Sequence, residues 1–138
     1  MVPIEQTLTV FSVDDSEIVY KSIKTLLLET KNILWAGHAL SLHDACLQID
    51  KKNPNVVILD IQLREESGFE FLKYLSKNHP AIVVIMFSNL SSMPYREKAM
   101  ELGAKYFLDK STEFEKIPKV LTELINNISP VQRPRRSI

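Results

Sequence analysis

Five side chains in this sequence have the chemistry to share one reaction. Asp14 and Asp15 stand side by side in FSVDDSEI (11–18), Asp60 ends NVVILD, Ser88 follows AIVVIMF, and Lys110 closes KYFLDK. Each sits where an apolar segment gives way to a polar one. Neighbouring carboxylates with no cation beside them raise one another's pKa and strain a fold. A divalent cation removes the conflict, and hard carboxylate oxygens suit Mg²⁺, which keeps several waters and often takes a phosphoryl oxygen as well. A further carboxylate can then attack phosphorus and form an aspartyl phosphate. An ammonium and a hydroxyl would neutralise charge on the equatorial oxygens. Asp60, apart from the acidic pair, is the expected nucleophile, with Ser88 and Lys110 as its helpers.

These groups meet only if the chain folds to bring them together. TLTVFSV (7–13), ILWAGHA (33–39), NVVILD (55–60), AIVVIMF (81–87) and KYFLD (105–109) are short and rich in Val, Ile and aromatics. Near-continuous runs of this kind suit strands covered on both faces. Helical spacing fills the gaps. Ile18, Val19, Ile23, Leu26 and Leu27 are expected on one face of a first helix capped by Ser16. Ala45, Leu47 and Ile49 mark a second helix, and Phe69, Leu72 and Leu75 a third. Pro94, after Ser91 and Ser92, stands in the first turn of a fourth. Ile117, Val120, Leu121, Leu124, Ile125 and Ile128 give a fifth. The alternation predicts an α/β fold: a five-stranded parallel sheet, doubly wound as (βα)5, in the flavodoxin-like strand order 2-1-3-4-5. Ligands of such sheets gather at the carboxyl ends of the strands, which is where all five residues fall.

Composition excludes several other classes. The 138 residues are 45% apolar and 25% charged, enough for one domain with a core. Lys and Arg total 17, as do Asp and Glu, so no net field draws the chain to nucleic acid or a membrane surface. AIVVIMF is far shorter than the roughly 20 residues of a membrane span, and MVPIEQ lacks the features of a signal peptide. Cys46 is the sole cysteine, so no internal disulfide forms, which suits a reducing cytoplasm. Cys46 and Trp35 are expected in packing roles. His38, His43 and His79 lack partners at zinc-ligand spacing, and no Gly-rich loop exists to cradle a nucleotide. Residues 129–138, with Arg133, Arg135 and Arg136, read as a basic, frayed tail.

VDDSE, VVILDIQL, MFSN and FLDKS, in this order and spacing, resemble the receiver domain of bacterial two-component response regulators, over about residues 7–128. The resemblance implies that Asp60 accepts a phosphoryl group from a phosphohistidine on a sensor histidine kinase or phosphotransfer protein. It implies direct Mg²⁺ ligation by Asp15, Asp60 and the backbone carbonyl of Gln62, with Asp14 acting through water. Ser88 and Lys110 would contact the phosphoryl oxygens, Phe107 matches the family's aromatic switch position, and Gly68 matches a family glycine. Three positions depart from the pattern. Arg64 stands where Pro is usual, Ser111 where Pro with a cis peptide bond is usual, and Asn89 where Ala or Gly is common. The expectation is a stand-alone cytoplasmic switch acting on a downstream protein target, with no direct DNA binding. Homodimerisation on phosphorylation is left open.

Rival readings stay in view. Aspartate-based phosphohydrolases carry D-x-D at the nucleophile strand, whereas the position two after Asp60 here is Gln62, so the acid/base help to fast turnover is missing. An FMN carrier needs a first loop that binds phosphate, and VDDSE would repel one. A degenerate receiver that only binds partners is the remaining alternative.

Overall fold

The computed structural model describes residues 7–127. Its elements run β1 (Leu8–Val13), α1 (Glu17–Leu28), β2 (Ile33–Ala39), α2 (Leu42–Lys52), β3 (Val56–Leu59), β4 (Gln62–Leu63), β5 (Glu66–Ser67), α3 (Gly68–Asn78), β6 (Val83–Ser88), α4 (Met93–Glu101), β7 (Tyr106–Asp109), a 3₁₀ turn (Phe114–Lys116) and α5 (Ile117–Asn127). The large sheet is parallel in the order β2-β1-β3-β6-β7. Counting only its own strands, this is the expected 2-1-3-4-5. The hairpin β4–β5 is an addition that the charged LREES stretch gave no sign of. Glu66 anchors it by accepting a hydrogen bond from the Leu42 amide at the start of α2, at 3.1 Å.

Both faces of the sheet are covered, which explains the unbroken apolar runs. Successive side chains of a strand point to opposite faces. Phe11, Val13, Val57, Leu59, Val84 and Met86 pack under α2 and α3. Leu8, Val10, Val56, Ile58, Ile85 and Phe87 pack under α1 and α5. The α5 periodicity holds for Ile117, Val120, Leu121, Leu124 and Ile125, all buried. Ile128 and the basic tail lie outside the described residues.

Two helix faces differ from expectation, for a geometric reason. Ile18 is 79% exposed and Leu47 60% exposed. A helical residue shares its face with positions three or four away. Val19, Ile23 and Leu27 satisfy that rule among themselves, and Ile18 lies one residue off their line. Ala45 and Ile49 are four apart and buried, so Leu47 between them points to the opposite side.

Caps set where the helices begin. Ser16 Oγ accepts from the Val19 amide, Ser41 Oγ from Asp44 and Ser67 Oγ from Phe69. Starting α1 at Glu17 leaves Asp14 and Asp15 in the short connection behind β1. Trp35 and Cys46 are half-buried against the two cores, in the packing roles expected of them.

Candidate functional site

Strand register brings the site residues level. Val13 is paired with Leu59, Leu59 with Met86, and Ser88 with Asp109. Asp14 and Asp60 therefore leave adjacent strands at one height, and the Asp60 amide still donates to the Val13 carbonyl at 3.1 Å. On the far side, the Lys110 amide donates to the Ser88 carbonyl at 3.0 Å. One carboxylate oxygen from each of Asp14, Asp15 and Asp60 lies within 4.8 Å of the others. The five residues singled out by chemistry are thus a single cluster at the carboxyl edge.

Within it the carboxylates differ. Asp14 is 3% exposed; its Oδ1 accepts from the Ser16 amide at 2.8 Å and its Oδ2 faces Lys110 Nζ at 2.7 Å. Burial pushes its carboxyl above the usual carboxylate range, against the pull of Lys110. Asp60 is buried too, with Oδ2 also 2.7 Å from Lys110 Nζ. Asp15 is half-exposed and accepts from the Arg64 amide at 2.9 Å. Lys110 bridges the two buried carboxylates. Burial acts to lower its ammonium, but the contacts to Asp14 and Asp60 outweigh that and hold it above the ordinary lysine value.

A cleft of about 220 Å³ opens over Asp60, lined by Asp15, Gln62, Arg64, Ser88, Asn89 and Leu90. Ser88 is buried, and its Oγ accepts from the Leu90 amide at 3.2 Å, which orients the hydroxyl. Phe107 is half-buried against the α3-side core, with the Arg96 guanidinium 4.9 Å over its ring. Hard oxygen donors of this number and spacing fit a divalent cation.

The family model of the response regulator receiver domain matches residues 10–122. The chain belongs to this family. Sensory transduction protein LytT of Bacillus anthracis is 35% identical over 116 residues, covering 83% of this chain and 46% of that protein. A protein-glutamate methylesterase/protein-glutamine glutaminase of Methanosarcina mazei is 28% identical over 128 residues, covering 91% and 36%. The receiver chain spans less than half the length of these curated relatives. The response regulator domain of Thermotoga maritima CheB superposes with a TM-score of 0.76 at 27% identity, covering 90% of this chain and 99% of that one. A LuxR-family two-component response regulator from Aurantimonas sp. SI85-9A1 gives a TM-score of 0.81 at 20% identity, over 91% and 92%. That second likeness is one of fold. Among the described residues no helix is long and apolar enough to cross a membrane.

The three departures from the receiver pattern each find a hydrogen bond. Arg64 has a φ of 45° and donates its amide to Asp15. Proline offers neither that angle nor that hydrogen. Ser111 donates its amide to Asp109 Oδ1 at 2.8 Å, which proline at this position could not do. Its hydroxyl donates to Asn89 Oδ1 at 2.7 Å, so the second and third departures are partners. Among the described residues no peptide bond is cis.

Sequence reasoning missed a polar network beside the cleft. Ser91 Oγ donates to Asp109 Oδ2, and the Asp109 amide donates to Glu113 Oε1 at 2.7 Å. Arg96 joins Glu113 at 3.6 Å and donates to the Ser91 carbonyl at 2.6 Å. Nothing in the spacing of these residues signals the network, because it joins two separate stretches, 91–96 and 109–113.

Proposed function

We propose that this receiver domain is a phosphorylatable switch in which Asp60 is the phosphoacceptor. The observation that carries the reading is the position of Lys110 Nζ, 2.7 Å from Asp60 Oδ2, within a cluster of three carboxylates. A carboxylate oxygen of Asp60 attacks phosphorus, the donor's bond to phosphorus breaks, and the leaving group departs with the electron pair. Lys110 and Ser88 neutralise and orient the phosphoryl oxygens from two sides. Asp15, Asp60 and the Gln62 carbonyl would hold Mg²⁺ directly and Asp14 would hold it through water. When bound, the ion supplies positive charge that screens the carboxylates from the arriving phosphoryl group.

The donor in this proposal is a phosphohistidine on a sensor histidine kinase or phosphotransfer protein in the cytoplasm. The phosphorylated receiver, residues 7–128, then draws Ser88 inward and lets Phe107 repack. That shifts the population of surfaces offered to a downstream protein target. A switch outlives its signal only if hydrolysis is slow, and Gln62 lacks the acid/base group that would speed it.

Incubation with acetyl phosphate and Mg²⁺ tests the assignment. Wild type should gain an acid-labile phosphate that the Asp60→Asn variant does not. Full labelling of that variant would remove Asp60 from the mechanism.

A further inference from the structure

Among the residues lining the cleft over Asp60 is an arginine that neither the strand pattern nor the phosphoacceptor mechanism employs. Lys110 is not among the residues lining that cleft; it reaches Asp60 from the side of a neighbouring groove formed with Ile18, Val19 and Phe114. Its ammonium is already shared between Asp14 and Asp60. Arg64 does line the cleft, and its guanidinium makes no hydrogen bond or ion pair with any other described residue. The start of its side chain is fixed, because its amide is held by Asp15 at 2.9 Å and it occupies the turn between β4 and β5. A positive φ is unfavourable for a long side chain, so a residue with no use for its side chain would be replaced there by Gly or Asn.

We propose that Arg64 is a phosphoryl-contacting residue: its guanidinium meets the non-bridging phosphoryl oxygens from the solvent side as the group arrives on Asp60. This rests on the phosphoacceptor reading and extends it. Conversion of a carboxylate to an acyl phosphate adds up to one negative charge in a cleft that already holds Asp15. A planar guanidinium with free donors is suited to pair two phosphoryl oxygens at once. Arg64 also puts a positive charge on the lining of the cleft that an anionic donor must enter, which raises the donor's local concentration.

The test measures the rate of acid-labile phosphate incorporation from acetyl phosphate with saturating Mg²⁺. In that step acetate leaves with the electron pair as the bond from Asp60 to phosphorus forms. The variants are Arg64→Asn, which tolerates the positive φ, and Arg64→Lys, which keeps the charge. At about 20 mM salt Arg64→Asn should be slower by about five-fold, with Arg64→Lys between it and wild type. Raising salt to about 300 mM should slow wild type and bring it close to Arg64→Asn, because a partly exposed charge is screened. Equal rates and equal salt dependence in wild type and Arg64→Asn would overturn the role of Arg64 while leaving Asp60 as acceptor. Absence of labelling in wild type, or labelling that survives Asp60→Asn, would instead overturn the phosphoacceptor reading, and the Arg64 contact with it.

Discussion

Lys110 is tied to Asp14 as closely as to Asp60: Nζ lies 2.7 Å from Oδ2 of each. The acidic doublet that has no cation near it in sequence thus finds one 96 positions further along the chain, counting from Asp14 to Lys110. All three side chains are largely buried, so the trio is held by mutual compensation rather than by solvent.

Removing the ammonium should be costly. Lys110→Met leaves two buried carboxylates facing each other, and without divalent cation the variant should lose about 3 kcal/mol in chemical unfolding. With Lys110 gone only the Ser16 amide still offsets burial at Asp14, whose folded pKa then rises further. A raised carboxyl stabilises the fold below its unfolded pKa and loses that contribution as pH rises. The stability gap to wild type should therefore widen from pH 4 toward pH 7, and adding Mg²⁺ should narrow it. Equal stability at pH 7 without Mg²⁺ would show that the trio is not compensated in this way.

Gly68 is required by contact rather than by backbone angle. A Cβ at this position would sit 1.9 Å from the Asp60 carbonyl oxygen, and the Gly68 amide already donates to Ile61 at 2.5 Å. Gly68→Ala must push the backbone that carries Asp60, at a cost of about 2 kcal/mol. Urea unfolding should show that loss, together with slower phosphate incorporation. An alanine variant as stable as wild type would mean that the loop yields without penalty.

Acid should loosen the network behind the cleft. The Ser91 hydroxyl, with the Thr112 and Ser111 amides, holds Asp109 below its ordinary carboxyl value. Lys116, with the Asp109 amide, does the same for Glu113. A lowered carboxyl contributes stability above its unfolded pKa and gives it up as pH falls through the folded value, here below about pH 4. Thermal melts should place Asp109→Asn below wild type at pH 7, with the difference shrinking as pH drops below 4. A constant difference from pH 7 to pH 3 would assign the loss to something other than the Asp109 charge.

Much of this molecule follows from local pattern. Strand alternation, helix periodicity and the Ser16 cap act over a few residues, so they specify the doubly wound order and the edge where Asp14, Asp15, Asp60, Ser88 and Lys110 collect. The same local rule, applied with the correct spacing of three and four, also accounts for the exposure of Ile18 and Leu47. Tertiary structure alone decided the rest. Lys110 pairs with Asp14 as well as Asp60, Arg64 lends its amide to Asp15, and Ser111 and Asn89 depart from the family pattern as hydrogen-bonded partners. Each of those contacts joins segments distant along the chain. Its energy depends on ångström-scale distance and on burial, and neither quantity exists until the sheet has closed.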